Sequence, residues 1–585
     1  MLDSRLYRKA GRDSVRRGIN FRSLIICLFL LVMVACSENQ APADLIITGG
    51  PIYTVNDQQP VVEGVAVRGG KIIFAGSAEE TQALRGDNTK IIDLNGRGMT
   101  PGFIEGHGHL MEVGYNELQL DLMAVKSYDE LVEKVKDAVS KSQPGEWIVG
   151  RGWHQDKWDN SPRKMIKGFQ THHLLSAVSP DNPVFLEHAS GHAALANAKA
   201  MEIAGVNQLS AENLQSALED EGGEIIRDGV GNPTGIFNEQ AMGLISRFIP
   251  QNTPSRQKKA LELALAACAR NGITGFHDAG AGQRSIDLFK EFKKEGRLTA
   301  RLYVMLAGAG LARKWFASGP EIDPDHFLTI RSIKLSCDGA LGSRGAWLLE
   351  PYADRPGFTG MTTLPMDTVL AISREALKHG FQVCSHAIGD RANREILDRY
   401  QRALGDYPQV KDHRFRIEHA QHLHPADIPR FAELGVIPAM QAIHMSSDRP
   451  WAIDRLGEKR IREGAYVWQS LLRTGARIVN GTDAPVEPLS PVACFYASIT
   501  RKTLNGIPEG GFEPEQKMTR EQALRSYTLD AAFGGFQENV LGSIEVGKYA
   551  DFTVFSRDIM KVPEADILDT RVEMTIVNGV VAYSK

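Results

Sequence analysis

Two histidines one residue apart close an apolar run near residue 100, Pro101-Gly-Phe-Ile-Glu-Gly-His107-Gly-His109. On a β-strand, alternate side chains face the same side, so His107 and His109 would point together from the end of the strand. Paired imidazoles are typical ligands of a zinc-like ion. Histidines at strand ends also make ordinary hydrogen bonds, so the metal interpretation depends on ligand-type residues elsewhere in the chain.

Four later apolar runs end in residues of the kind that bind metals, namely Lys334, His386, His419 and Asp483. A lysine at a strand end usually extends to water. Lys334 instead lies within its run, before Leu-Ser-Cys, where an unpaired ammonium would be costly to bury. Addition of carbon dioxide to the neutral amine would remove that cost, because the carbamate formed is a carboxylate that can bridge two divalent ions.

Together these residues predict a metal centre of one or two ions. His107 and His109 would bind the first ion, with an oxygen of Asp483. His386 and His419 would supply nitrogens to the second, and the carbamylated lysine would lie between the two. Two ions about 4 Å apart can activate a shared hydroxide and polarise a carbonyl, which is the chemistry of a hydrolase.

The elements that would position these residues are apolar strand-like runs alternating with helical patterns, which is typical of parallel βα units. A helix over residues 255–270, closed by Gly272 before the next run, shows the unit clearly. Eight units predict an α/β fold with a (β/α)8 barrel of the TIM type, whose active site lies at the carboxyl ends of the strands. The predicted strands are residues 103–107, 273–277, 302–306, 333–337, 382–386, 415–419, 436–441 and 477–483.

Short alternating strands with glycine-rich turns occupy residues 43–98 and again residues 541–585. Neither segment is large enough to bury its own apolar face, so we expect the two to meet in a small composite β-sandwich. Two unrelated β-rich tails are the alternative. The barrel is predicted over residues 99–540, and an insertion over residues 115–250 follows its first strand, where it would form a cap over the active site.

The composition argues against nucleic acid as a partner. The chain has 585 residues and a net charge of -4, and beyond its first 22 residues it carries no dense run of lysine and arginine. Apart from Cys27 and Cys36, its cysteines stand singly in apolar runs, which is typical of small buried hydrophobic residues and not of a disulfide framework.

The first 36 residues resemble an export signal. A basic segment precedes twelve apolar residues, 24–35, which is shorter than the roughly 20 residues of a spanning helix. Met33-Val-Ala-Cys36 resembles a bacterial lipobox, so Cys36 is the predicted lipid anchor, with an ordinary signal and an incidental cysteine as the alternative. Because Ser37, not aspartate, follows, we expect a periplasmic protein anchored at the outer membrane.

Five segments in order resemble the amidohydrolase superfamily and, more narrowly, its amidohydrolase 3 or YtcJ-like branch. They are Pro-Gly-Phe-Ile-Glu-Gly-His107-Gly-His109, Ile-Lys334-Leu-Ser-Cys-Asp338, Ser-His386-Ala-Ile-Gly-Asp390, Arg-Ile-Glu-His419-Ala-Gln and Gly-Thr-Asp483-Ala-Pro-Val. The resemblance implies the same metal ligands and a carbamylated lysine bridge. It also implies that Asp483 is the general base, which takes a proton from the attacking water and passes it to the departing nitrogen. Zinc is the expected metal, although iron or manganese would suit these ligands.

The resemblance also implies substrate contacts. Trp153 and His192, in the predicted cap, lie in segments that resemble the pocket-lining motifs of the family, with packing in the core of the cap as the alternative for the tryptophan. Arg344 would anchor a substrate carboxylate, or would pair with Asp338 or Asp390.

The function implied is hydrolysis of a carbon–nitrogen bond, other than a peptide bond, in a small N-acyl or N-formyl amine, an acylated amino acid or a cyclic amide. Lactone or phosphoester hydrolysis on the same two-metal barrel is one alternative. A non-catalytic binding or regulatory lipoprotein on a hydrolase scaffold is another. A small-molecule substrate and the membrane are the expected partners, and a homodimer is left open.

Overall fold

The computed structural model describes residues 41–155, 158–160, 162–188, 193–206, 223–250, 253–342 and 344–585. The lipidation candidate Cys36 and the pocket candidate His192 lie outside the described residues. Within those ranges, no helix combines the length and the apolar character needed to cross a membrane.

Both ends of the chain contribute strands to one eight-stranded sheet. These strands are β1 (Leu45–Tyr53), β2 (Val61–Arg68), β3 (Lys71–Gly76), β4 (Lys90–Asp93), β5 (Met99–Pro101), β23 (Phe552–Phe555), β24 (Val572–Val577) and β25 (Val580–Ser584). Their order is β25-β24-β23-β5-β1-β2-β3, and β4 pairs with β1 in parallel. At the antiparallel junction of β5 and β23, Met99 lies opposite Val554, and both are buried. The prediction that the two β-rich ends meet is confirmed.

A parallel barrel forms the centre of the protein. Its strands are β6 (Phe103–Gly108), β15 (Ile273–Ala281), β16 (Arg301–Ala307), β18 (Leu328–Ser336), β19 (Gln382–Ala387), β20 (Arg416–His419), β21 (Ile437–Met440) and β22 (Val479–Asn480). Each strand is parallel to the next in this order, and the short β17 (Glu321–Ile322) adds an antiparallel edge to β18. Nearly every residue of these eight strands is buried, as expected where helices cover the outside of a parallel sheet. The predicted (β/α)8 fold is confirmed.

The barrel is closed by backbone hydrogen bonds just beyond β22, between the chain there and β6. Asp483 N donates to His107 O and His109 N donates to Ala484 O, both at 2.8 Å. The eighth strand, β22, is shorter than the predicted residues 477–483. Its last backbone hydrogen bond to β21 runs from Gly481 N to Met440 O, and beyond it the chain turns away from β21 toward β6. This turn carries Asp483 to the end of the first strand.

The helices surround the barrel and the cap. They are α1 (Ala78–Gln82), α2 (Leu110–Glu117), α3 (Tyr128–Ser140), α4 (His173–Val178), α5 (Ala198–Ile203), α6 (Gly243–Ser246), α7 (Pro254–Arg270), α8 (Gln283–Lys294), α9 (Gly308–Trp315), α10 (Met366–His379), α11 (Asp390–Asp406), α12 (Ile428–Leu434), α13 (Ala442–Leu456), α14 (Glu458–Gly464), α15 (Trp468–Arg473), α16 (Pro491–Thr500), α17 (Arg520–Ser526) and α18 (Leu529–Gly534). Single 3₁₀ turns occupy Gln240–Met242, Pro425–Asp427, Pro514–Gln516 and Glu564–Asp566.

Helix α7 shows how local sequence sets these elements. The side chain of Thr253 accepts a hydrogen bond from Arg256 N, and Pro254 fills the first turn, where its missing N–H is not needed. Leu261 and Cys268 lie on the face that packs against the barrel. The described cysteines Cys268, Cys337, Cys384 and Cys494 are all free and buried.

The insertion after β6 has a sheet and a core of its own. Its six-stranded sheet has the order β13-β14-β12-β11-β8-β7. The strands are β7 (Leu120–Asp121), β8 (Ile148–Trp153), β11 (Val184–His188), β12 (Ala193–Ala196), β13 (Gly223–Arg227) and β14 (Pro233–Glu239), and β9 (Met165–Ile166) pairs with β10 (Phe169–Gln170). Leu131 and Val135 of α3 pack under this sheet with Leu186 of β11. We refer to this insertion as the cap.

Candidate metal centre and active-site cavity

The carboxyl ends of the barrel strands bring the predicted metal ligands together. His107 lies near the end of β6 and His109 directly after it, His419 ends β20, and Asp483 stands just beyond β22. One ligand atom from each of His107, His419 and Asp483 lies within 4.8 Å of the others, and all three residues are buried. Asp483 Oδ1 is 3.2 Å from His109 Nε2 and 3.5 Å from His107 Nε2. This grouping is what one divalent ion needs.

The remaining two predicted ligands lie beside this group. The ring centroids of His386 and His419 are 4.4 Å apart, and those of His107 and His419 are 4.8 Å apart. Lys334 Nζ is 3.1 Å from His107 Nε2. All six predicted residues therefore meet at one end of the barrel.

Two polar atoms at this centre have no hydrogen-bond partner of good geometry among the described residues, namely Asp483 Oδ1 and His386 Nε2. Unsatisfied buried polar atoms are rare in proteins. A carboxylate oxygen and an imidazole nitrogen are also standard ligands of divalent metals. The residues present therefore fit a metal ion.

The protonation states of these residues in the metal-free protein also suit metal binding. Burial lowers the pKa of Lys334, which favours the neutral amine. Burial and the nearby Lys334 lower the pKa of His107 to about 4, so its imidazole is neutral, as a metal ligand must be. Although burial opposes ionisation, His109 and His444 hold the pKa of Asp483 well below its ordinary range, so this residue is a carboxylate.

A fully buried ion pair orients His107. Glu418 Oε2 contacts His107 Nδ1, and Glu418 also accepts hydrogen bonds from Arg416 Nε and Nη2 at 2.7 and 2.8 Å. Arg416 is held in turn by His277 Nδ1 at 2.9 Å and Gly106 O at 2.7 Å. A carboxylate on Nδ1 fixes the tautomer that presents the Nε2 lone pair to a metal.

His419 is oriented in a similar way, because its Nδ1 lies 2.7 Å from Gln441 Oε1. His419 and Asp483 also have positive φ angles, of 73° and 59°. Non-glycine residues rarely adopt this conformation, and where they do it is often at functional sites. In this barrel it turns the chain sharply at the end of β20 and just after β22.

A second buried carboxylate links the first and last strands. Glu105 accepts hydrogen bonds from Thr482 N at 2.5 Å and from Thr482 Oγ1 at 3.0 Å. Burial raises the pKa of Glu105 to about 8. Since Thr482 precedes Asp483, the contact fixes the position of Asp483 relative to His107.

Sequence reasoning did not identify His444, which stands in α13 directly after β21. Its Nε2 lies 3.3 Å from Asp483 Oδ2, and its Nδ1 lies 3.8 Å from Glu487 Oε1. Although burial opposes it, Asp483 and Glu487 raise the pKa of His444 to about 10. Its position just past a barrel strand, in Gln441-Ala-Ile-His444, was the available signal.

Arg344 does not pair with either of the carboxylates that the sequence offered as alternative partners. Its guanidinium pairs with Asp354, at 2.7 Å and 3.1 Å, and not with Asp338 or Asp390. Asp338 is occupied instead by the backbone N–H groups of residues 347, 388 and 389, at 2.8 to 3.0 Å. The sequence did not indicate Asp354 as the partner of Arg344, because Asp354 is exposed and lies ten residues further on in an irregular segment.

Trp153 is fully buried in the core of the cap. Its Nε1 donates to Leu186 O at 2.8 Å, and its ring packs against that of His188 at 4.6 Å. The arrangement favours the packing alternative over a substrate contact. Within the described part of the cap, no residue lines the cavity above the metal ligands.

That cavity has a volume of about 820 Å³ and opens over the metal ligands. One part of its wall is apolar, with small residues at the carboxyl ends of β15 and β16 and at the start of α9, and with Leu341, Leu364 and Ile388. Another part carries Asp448, Trp451 and Glu487. A cavity of this size takes a small molecule with its reacting bond at the metal ligands.

Comparison with known proteins places the chain in a family. A model of the amidohydrolase family matches residues 90–583. The chain belongs to the amidohydrolase family. YtcJ of Bacillus subtilis is 30% identical over 548 residues, covering 92% of this chain and 99% of that protein. An N-substituted formamide deformylase of Arthrobacter pascens is 26% identical over 557 residues, covering 93% and 98% of the two chains.

A solved structure agrees with this assignment. A metal-dependent hydrolase from Pyrococcus furiosus has a TM-score of 0.69 and 28% identity, covering 88% of this chain and 100% of that chain. The chain is therefore a metal-dependent hydrolase of the amidohydrolase family, with a buried candidate site made by His107, His419 and Asp483.

Proposed function

We propose that this amidohydrolase cleaves a carbon–nitrogen bond, other than a peptide bond, in a small N-acyl or N-formyl amine or a related amide. The observation that carries the proposal is the buried Asp483 carboxylate, whose Oδ1 lies 3.2 Å from His109 Nε2 and 3.5 Å from His107 Nε2 beneath a cavity large enough for a small molecule. The similarity to a formamide deformylase supports a carbon–nitrogen bond as the target.

The residues would divide the work as follows. A divalent ion, when bound, would supply an activated water and polarise the substrate carbonyl. His107 and His109 would hold that ion, and Glu418 keeps His107 in the required tautomer. Asp483 accepts the proton of the attacking water and delivers it to the departing nitrogen, because an amide anion is too poor a leaving group to depart unprotonated.

We further propose that Lys334 is carbamylated and bridges two zinc ions, with His386 and His419 at the second. Burial of the amine, its lowered pKa and its 3.1 Å approach to His107 Nε2 support this, because carbon dioxide reacts with the neutral amine. Intact mass spectrometry under native conditions should detect the added carbon dioxide. Lys334→Ala should lose activity, and short carboxylic acids should restore part of it.

The direct test is amine release from N-formyl, N-acetyl and longer N-acyl amines by metal-loaded protein, with and without chelator. Asp483→Asn should abolish release while leaving the fold intact. Asp530→Asn is the matched control, because Asp530 is equally buried but does not line the cavity. Activity that survives both chelator and Asp483→Asn would refute the mechanism. Bound metal without amine release would direct the search to lactones and phosphoesters.

The predicted lipid anchor at Cys36 remains a proposal about location, at the periplasmic face of the outer membrane. The lipobox-like segment Met33-Val-Ala-Cys36 supports it. Cells grown with labelled palmitate should label the protein, and Cys36→Ala should abolish the label and release the protein from membranes. Label that persists in Cys36→Ala would contradict the proposal.

A further inference from the structure

One wall of the cavity is acidic and aromatic, and it comes from a single face of α13 and the loop after β22. His444, Asp448 and Trp451 stand at positions i, i+4 and i+7 of the helix, so they share one face. All three line the cavity, as does Glu487 from the loop. Two carboxylates and an indole therefore face the substrate space beside the metal ligands.

The negative charge of this wall is incompletely balanced. Among the described residues, Asp448 has only long contacts, with Gln421 Nε2 and Ser447 Oγ, each at 3.4 Å. Glu487 accepts a hydrogen bond from Ser447 Oγ at 2.5 Å and lies 3.8 Å from His444 Nδ1. Even with His444 protonated, one imidazolium faces two carboxylates. Burial raises the pKa of Asp448, as expected for a carboxyl group whose charge lacks a partner.

The described residues of the cavity offer no matching site for a substrate anion. Within the described residues, no arginine lines it, and its single lysine is Lys334, which faces His107 among the metal ligands. Arg455, whose guanidinium carbon lies 5.8 Å from the centroid of the Trp451 ring, pairs with Asp354 and does not line the cavity.

Asp483 lines this same cavity, and its Oδ1, which makes no hydrogen bond of good geometry within the described residues, marks where the reacting bond would lie. Asp483 is 6% exposed, so the marker is a buried group and not a feature of the surface. Its other oxygen is 3.3 Å from His444 Nε2. The acidic wall is therefore adjacent to the reaction centre, within the reach of one small substrate.

We propose that the enzyme is selective for amides whose amine half carries a second, cationic group. The cation would lie between Asp448 and Glu487 and against the face of Trp451, and the apolar wall would take the acyl part. Carboxylates and an indole face are the groups that recognise an ammonium in proteins. The inference rests on the proposed function, and it disfavours acylated amino acids with a free carboxylate.

Three N-formyl amines with the same four-carbon spacer test the inference, because they differ only in ending in an ammonium, a methyl or a carboxylate group. The metal-loaded protein should show kcat/KM highest for the ammonium compound, by about tenfold over the methyl compound, and lowest for the carboxylate. The difference should lie mainly in KM and should shrink with added salt.

Asp448→Asn and Glu487→Gln keep the shape of each side chain and remove its charge. Each should lower the ammonium-to-methyl ratio of kcat/KM by about threefold, and the two together should remove the preference of about tenfold. Asp454→Asn makes the same change on an exposed position of the same helix that does not line the cavity, and it should leave the ratio unchanged.

The failures of the two proposals can be told apart. Equal kcat/KM for the three compounds, preference for the carboxylate, or a ratio that neither variant alters would overturn the charge selectivity while hydrolysis stands. If no compound is hydrolysed, calorimetric binding of the same three compounds decides. Tighter binding of the ammonium compound that depends on Asp448 and Glu487 would support the inference although the reaction is wrong, and equal binding would overturn it.

Discussion

Glu418→Gln is the most informative single change, because Glu418 serves both the fold and the metal centre. The side chain is fully buried and holds Arg416 through two hydrogen bonds of 2.7 and 2.8 Å while it contacts His107 Nδ1. Glutamine has nearly the same shape. It removes the charge that balances Arg416, and it can no longer accept hydrogen bonds on both of its terminal atoms.

The expected size of the effect follows from that burial. Removing one partner of a buried ion pair lowers the free energy of unfolding by about 3–5 kcal/mol. Because glutamine keeps one oxygen that can accept a hydrogen bond from Arg416, we expect a loss of about 3 kcal/mol, at the lower end of that range. Loss of the carboxylate on His107 should weaken metal binding by about 10- to 100-fold. Although burial opposes ionisation, Arg416 and His107 hold the pKa of Glu418 well below its ordinary value of 4.5.

The sign of the pH dependence is fixed by that lowered pKa. The stabilisation by Glu418 is fully present above about pH 4.5, where the unfolded residue is ionised, and is lost only as the pH falls toward the folded pKa. The difference in unfolding free energy between wild type and Glu418→Gln should therefore be constant from about pH 6 to 8 and should become smaller in acid.

Urea unfolding of the metal-free proteins measures the first effect, and titration with zinc measures the second. Glu538→Gln is the control, because Glu538 makes an equally direct pair with Arg414, with two hydrogen bonds of 2.8 Å, but its side chain is 21% exposed. The control should lose less than about 1 kcal/mol and should bind zinc normally. Equal stability loss in both variants, or normal zinc binding by Glu418→Gln, would refute the reasoning.

Three further predictions use other parts of the molecule. Burial raises the pKa of Asp530 from 3.8 to about 6, so the folded state holds the extra proton and stability should fall as the pH rises through that window. In urea unfolding, the decrease of the unfolding free energy with rising pH should be about 3 kcal/mol smaller in Asp530→Asn than in wild type. The same pH dependence in both proteins would contradict the prediction. Trp153→Phe should lower the unfolding free energy by about 1 kcal/mol through the lost bond to Leu186 O, with kcat/KM within about twofold of wild type. A large rise in KM would restore Trp153 as a substrate contact. Arg344→Ala should change neither KM for carboxylate-bearing amides nor stability measurably, because its pair with Asp354 is solvent-exposed.

The barrel strands were predictable because each is a short apolar run placed between helical patterns and because parallel strands are buried on both faces. Ligand-type residues at the ends of such runs could be grouped without coordinates, since all eight carboxyl ends meet at one end of a barrel. The shortness of β22 was not predictable. It depends on backbone hydrogen bonds from Asp483 N to His107 O, across most of the chain.

The supporting groups escaped prediction for a related reason. Glu418 is next to His419 in sequence, yet the side chain that it contacts and orients is that of His107, 311 residues away. His444 stands in a helix and does not itself end a strand, so its only sequence signal was its position a few residues after β21, where α13 begins. Arg344 shows a related limit, because its ion pair is with Asp354 and not with Asp338 or Asp390, and the spacing of the local motif did not indicate that partner.

The buried polar groups at the carboxyl end of the barrel fall into two sets with opposite consequences for folding. Glu418 and Arg416 satisfy each other whether or not metal is bound, so they can fix His107 in the metal-free protein. Asp483 Oδ1 and His386 Nε2 have only contacts of poor hydrogen-bond geometry among the described residues, at 3.2 Å to His109 Nε2 and 3.3 Å to Asp338 Oδ1, and an unsatisfied buried group costs about 1–3 kcal/mol. Metal binding to the folded state alone would offset that cost by mass action. The first set therefore builds the site in advance, and the second set makes the folded protein more stable with metal than without it.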